Sequence, residues 1–113
     1  MLNLNMKLLQ EYHDSVLAQN EASRLRLLTE LRKASHIHHK GCQLWVYGSL
    51  TQQGRFRQES GIDLALNHEP EWTSIYGVST LLSETLGRSV DVVLLAETRL
   101  QEIILKKGIT WVG

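Results

Sequence analysis

"VYGSLTQQGRFRQESGIDLAL", residues 46–66, decides how the chain folds. An apolar run ends at Tyr47, the chain turns through Gly48-Ser49, crosses a polar stretch and re-enters an apolar run at Ile62. Short β-branched and aromatic runs bounded by glycine read as strands, so "QLWVY" before Gly48 and "IDLAL" after Gly61 are two strands joined by a polar loop. "SVDVVLL" is a third, and "ITWV" near the end is a fourth. Between the second and third, "PEWTSIYGVSTLLSETLG" aligns Ile75, Val78, Leu82 and Leu86 on one helical stripe, with Pro70 in the first turn and Gly87 as the stop. "TRLQEIILKKG" predicts a further helix, with Thr98 and Gln101 at capping-box spacing and Gly108 ending it.

Upstream of the strands the period is helical. Leu9, Tyr12 and Val16, then Leu27, Leu28, Leu31 and Ala34, recur every three to four residues among polar ones, with Asn20 as a dividing point between two helices. Gly41 suits the left-handed residue after a helix end. His36, His38, His39 and Lys40 stand where positive groups favour the C-terminal dipole. Alternate histidines with no nearby cysteine or carboxylate lack a structural zinc pattern, so "HIHH" reads as a solvated helix end. The sum is one compact α/β unit without repeats or low-complexity segments.

Composition narrows the function. A chain of 113 residues is a single domain with room for a core but not for a second catalytic lobe. Lys+Arg and Asp+Glu are 12 each, so no global field favours duplex nucleic acid or a membrane surface. The lone Cys42 cannot form an internal disulfide and reads as a small buried apolar residue in a reduced compartment. No apolar stretch reaches the roughly 18 residues of a spanning helix, and the start lacks a leader pattern, so a soluble, cytoplasmic protein is expected.

Two residues break the apolar pattern in the same way. Asp63 interrupts Ile62-Leu64-Ala65-Leu66, and Asp91 interrupts Val90-Val92-Val93-Leu94-Leu95. A carboxylate inside a strand that is apolar on both sides is expensive unless it meets a cation, strong donors or a wet rim. Two of them on separate strands of one sheet can converge on one divalent ion, since hard oxygen ligands with phosphate oxygens suit Mg²⁺. Each could instead sit at a strand end and pair with an arginine such as Arg88. Gly48 lets the backbone approach a ligand closely, and the residues after it can begin a helix whose free N–H groups attract phosphate. Strand, Gly-Ser, loop, strand with Asp, helix, strand with Asp is the order of a nucleotide cradle beside a metal site.

With "YGSLTQQGRFRQESGIDLAL", "VDVVLL" and "LQEIILKKGITWV" in place, the chain resembles the minimal nucleotidyltransferase (MNT) family of the DNA polymerase beta superfold, over roughly residues 24–113. The usual family pattern is Gly-Ser, ten residues, then Asp-x-Asp. The resemblance implies a mixed sheet flanked by helices, with residues 1–23 as an N-terminal helical extension ahead of the nucleotidyltransferase-like domain. It implies ATP and Mg²⁺ or Mn²⁺ as ligands. It also implies a HEPN ribonuclease toxin as partner, neutralised by transfer of AMP to a toxin tyrosine. Carried over, Gly48 and Ser49 hold the triphosphate, Asp63 is the second carboxylate of Asp-x-Asp, and Asp91 is the third acid.

The chain departs from that pattern at one decisive place. Eleven residues separate Ser49 from Gly61, one more than usual, and Gly61 stands where the first Asp belongs. Loss of that carboxylate strips charge from a two-metal site, so weak catalysis is expected. Glu59 offers a substitute if residues 59, 61 and 63 share one strand face. Arg55 and Arg57 are candidates for phosphate or toxin contact. Three readings follow: an AMP-transferring antitoxin, an antitoxin acting by binding alone, or a nucleotide-binding domain with no toxin partner.

Overall fold

A computed structural model describes residues 4–38 and 41–112. The elements run α1 (Leu4–His38), β1 (Gln43–Tyr47), β2 (Ile62–Leu66), α2 (Ile75–Leu86), β3 (Val90–Leu94), α3 (Gln101–Lys107) and β4 (Ile109–Val112), with 3₁₀ turns at Gly48–Thr51 and Leu95–Glu97. The strands form one mixed sheet in the order β3-β2-β1-β4. β1 runs antiparallel to both β2 and β4, while β2 and β3 are parallel and joined through α2. The α/β reading and all four strands stand as the sequence predicts.

Side chains alternate across a strand, and here the two faces bury different things. Leu44, Val46, Ile62, Leu64, Leu66 and Val92 pack beneath α1 and α2, against Leu27, Leu31 and Ala34 of the first and Val78, Leu82 and Leu86 of the second. On the opposite face Trp45 and Ala65 meet Leu95 and Ile104, the latter from α3. Because α3 is only 7 residues long, it roofs one end of this face and leaves the end bearing Asp63 and Asp91 to solvent. At the start of edge strand β3 the polar backbone of Val90 is satisfied by α2, whose Ser79 hydroxyl donates to its carbonyl and whose Ser83 hydroxyl accepts from its N–H. Cys42 is buried and free, as its residue type suggests.

Three helix boundaries differ from the sequence reading. α1 is unbroken through Asn20, because an interior Asn costs only ~0.7 kcal/mol against Ala and the Glu21–Arg24 pair at 2.7 Å bridges the next turn. α2 begins at Ile75 rather than at Pro70: the Ser74 hydroxyl accepts from Gly77 N–H at 3.3 Å and the Glu69 carboxylate accepts from Ile75 N–H at 2.9 Å, while Pro70 is buried in the loop before them. The stripe and the left-handed stop at Gly87 are as predicted. The Thr98–Gln101 capping box does not form, since Thr98 Oγ1 accepts from Leu100 N–H and α3 starts uncapped at Gln101. Gly41 is left-handed as expected, whereas His39 and Lys40 lie outside the described residues. Among the described residues no helix is long and apolar enough to cross a membrane.

Candidate functional site

The second residue of β2 and the second residue of β3 are both aspartates, and the parallel register places Asp63 directly beside Asp91. The antiparallel register on the other side places Tyr47, the last residue of β1, beside Asp63. Register partners share a sheet face, so Tyr47, Asp63 and Asp91 form one row across three adjacent strands. Asp63 and Tyr47 are half-buried and Asp91 is exposed, which makes the site an open shelf with a partly desolvated floor.

The electrostatics of the row follow from that placement. Burial first, and the neighbouring Asp91 charge second, raise the pKa of Asp63 above the ordinary carboxylate value. The Tyr47 phenol is pushed up to about 12 by burial and then by Asp63 and Asp91, so it stays protonated and able to donate at neutral pH. Among the described residues neither aspartate has an ion-pair partner. Arg88, the partner considered from sequence, is committed elsewhere. Its guanidinium donates to the carbonyls of Arg57 and Ser60, each at 2.9 Å, and lies 4.6 Å from the Phe56 ring centroid.

Gly48 closes the shelf from the side. Its φ of +77° is a left-handed conformation, and a Cβ there would lie 2.6 Å from Oδ2 of Asp63. The space a side chain would fill is therefore left to the Asp63 carboxylate. Gly48 opens a 3₁₀ turn of four residues, not a full helix, closed by Thr51 Oγ1 donating to Gly48 O at 2.7 Å. Arg24 of α1 donates to Leu50 O in the same turn. Ser49, partly exposed beside the row, has a hydroxyl that no described group engages.

Beyond the turn, Phe56 is buried and, with Arg88, pins a loop in which Arg55, Arg57 and Glu59 are exposed. Ser60 N–H donates to Arg57 O, so residues 57–60 form a turn and β2 starts only at Ile62. The expectation that 59, 61 and 63 share a strand face thus fails at Glu59, which instead lines a groove against Tyr12, His13 and Val16 of α1. Gly61 precedes Asp63 by two residues, beside Ser89, and carries no ligand atom into the row.

Two carboxylates side by side on neighbouring strands, with no ion-pair partner among the described residues, are a hard-oxygen donor set suited to Mg²⁺ or Mn²⁺. Among the described residues no cluster of three or more His, Cys, Asp or Glu side chains is arranged to hold a metal ion. Gly48 lies against Asp63 and Asp63 beside Asp91, and Ser49 follows Gly48 in the 3₁₀ turn. Tyr47 and Arg88 take parts the sequence does not foresee. No protein-family model, curated protein or solved structure matched the chain in comparison.

Proposed function

We propose that the chain is an MNT-type antitoxin of polymerase-beta-like fold, which binds ATP with Mg²⁺ or Mn²⁺ on the Gly48–Asp63–Asp91 shelf and neutralises a HEPN ribonuclease toxin. The observation that carries this reading is the in-register Asp63–Asp91 pair beside Gly48, where burial and the neighbouring charge disfavour the ionised Asp63 and a bound cation would favour it. Asp63 and Asp91 would hold the divalent ion, and the open backbone at Gly48 with the Ser49 hydroxyl would take phosphate oxygens. When bound, the ion would neutralise phosphate charge and polarise the transferred phosphoryl group. The chain's own part is to fix the two carboxylates in one row, to keep the Tyr47 proton on its oxygen as a donor at the floor, and to hold the Gly48–Thr51 turn through Arg24.

AMP transfer would join a toxin tyrosine oxygen to the α-phosphorus of ATP with loss of pyrophosphate. Gly61 leaves two carboxylates where the resembled family uses three, so transfer would be slow. The missing carboxylate at Gly61 makes neutralisation by binding alone the second reading. The test is the intact mass of a HEPN partner encoded beside this chain after incubation with ATP and Mg²⁺. A gain of one AMP supports transfer. Stable complex formation without mass gain supports binding alone, and the absence of both AMP gain and complex would overturn the antitoxin reading.

A further inference from the structure

Side chains two residues apart on a strand share a face, so a second row runs beside the row of Tyr47, Asp63 and Asp91. Trp45 pairs with Ala65, and Ala65 pairs with Val93. This second row is apolar and packs with Leu95 and Ile104. Tyr47 belongs to both environments. Its backbone is extended, φ −137° and ψ 178°, up to the turn at Gly48, so its side chain stays on the face of the aspartates. The half-buried ring packs against the apolar cluster, while the carboxylates of Asp63 and Asp91 are both near enough to act on its hydroxyl. Among the described residues no hydrogen bond engages that hydroxyl. The phenol is thus held by its ring and free at its oxygen, at the edge of the candidate cation site.

Charge decides what that oxygen can serve. Asp63 and Asp91 together carry the charge that one divalent cation cancels, and Gly61 adds none. A phosphate chain arriving with the cation brings further negative charge, which the shelf must meet with donors. The row itself holds no lysine or arginine, and the Arg88 guanidinium is taken by the Arg57 and Ser60 carbonyls. A phenol keeps its proton at neutral pH, so it offers an O–H to an oxygen and no positive charge to compete with the cation. Adjacent strands lie about 4.8 Å apart, so Tyr47 stands one such spacing from Asp63 and two from Asp91. We propose that Tyr47 is a phosphate-binding residue: its hydroxyl donates a hydrogen bond to a phosphate oxygen of the nucleotide that the Asp63–Asp91 cation brings in. The inference rests on the nucleotide reading of the shelf and adds to it a source of selectivity. The bare cation gains nothing from Tyr47, whereas any ligand with a phosphate chain does, whatever its base.

The test compares three probes on the full chain: Mn²⁺ alone, Mn²⁺ with ATP, and Mn²⁺ with inorganic tripolyphosphate, by calorimetry and by the paramagnetic resonance of free Mn²⁺. Tyr47→Phe keeps the ring and its packing and removes only the hydroxyl. It should leave the affinity for Mn²⁺ alone unchanged and lower the affinities for both phosphate chains equally, by ~10-fold, the low end for a hydrogen bond to a charged group on an open shelf. Trp45→Phe, which disturbs the row beside it and keeps the hydroxyl, should leave all three affinities unchanged. A Tyr47→Phe chain that binds the phosphate chains as the natural one does would overturn the proposal while the shelf stands. Equal losses for Mn²⁺ alone and for Mn²⁺ with ATP, a loss for ATP without one for tripolyphosphate, or the same losses in Trp45→Phe would do so too. A natural chain that binds neither Mn²⁺ nor ATP would instead remove the nucleotide reading itself, and this inference with it.

Discussion

A Cβ at Gly48 would stand 2.6 Å from Oδ2 of Asp63, so the turn after β1 and the carboxylate of β2 constrain each other directly. Gly48→Ala must therefore pay twice, for a left-handed φ of +77° and for displacing Asp63. The first effect costs ~1–2 kcal/mol and the collision adds a similar amount, giving an expected loss of ~2–4 kcal/mol in urea unfolding at unchanged m value. In an Asp63→Ala background the collision is gone and the loss should fall to ~1 kcal/mol. Equal losses in both backgrounds would mean that the glycine serves the turn alone.

Asp63 should make stability depend on pH in the sense opposite to a paired carboxylate. Its folded pKa lies above its ordinary value of 3.8, so folding favours the protonated form. The stability this group contributes is full below the unfolded pKa and is lost as pH rises through the folded one. Asp63→Asn should then melt above the natural chain at pH 7, by ~2–4 °C once solvent screening of a half-exposed group is allowed for, and the gap should close toward pH 3.5. Millimolar Mn²⁺ should raise the melting temperature of the natural chain and not that of Asp63→Asn. A natural chain that melts above the variant at neutral pH would contradict the repulsion.

Arg88 is expected to act as the clamp of the 52–60 loop. It bonds two loop carbonyls and covers Phe56; without it Arg57 O keeps the Ser60 N–H, while Ser60 O loses its donor. Arg88→Ala should cost ~1–2 kcal/mol and expose the bonds near Arg55 and Arg57 to trypsin. Arg88→Lys should recover less than half, because a single ammonium cannot reproduce the flat guanidinium over the ring while reaching both carbonyls. Unchanged proteolysis in Arg88→Ala would show that Phe56 alone anchors the loop.

The strands were legible because their residues are strongly β-forming and bounded by glycine, and the aspartates stood out because each breaks an apolar run at the same place, one residue into its strand. Tyr47 was hidden for a different reason. Which residue lies beside Asp63 depends on the β1–β2 register, and a single sequence does not state register; only Tyr47's place at the end of β1, before Gly48, hints at it. Charge alone offers Arg88 as an alternative partner for an aspartate, whereas the loop carbonyls of Arg57 and Ser60 hold it. Pro70 and Thr98 carried start signals that lost to Ser74, Glu69 and the tertiary packing of α2 and α3.

Gly61→Asp is the substitution that tests the nucleotidyltransferase reading most directly. Position 61 is two residues before Asp63, so strand alternation turns its side chain toward the same face. A Cβ there would meet Ser89 O at 3.3 Å, close enough to require a shift of a few tenths of an ångström but not a rebuilt strand. The variant should fold with a loss under ~1 kcal/mol. It should bind Mn²⁺ at least ~10-fold more tightly, because a third carboxylate joins two whose charges already disfavour each other. If ATP is the ligand, AMP transfer to a HEPN partner should rise by ~100-fold or more while ATP affinity changes little, since the restored group acts mainly on the transition state. Glu59→Gln should leave both measurements unchanged, because Glu59 faces the α1 groove and not the aspartate row. A Gly61→Asp chain that folds normally but gains no affinity for Mn²⁺ would remove the shared metal site from consideration, and with it the reason for placing ATP on this shelf.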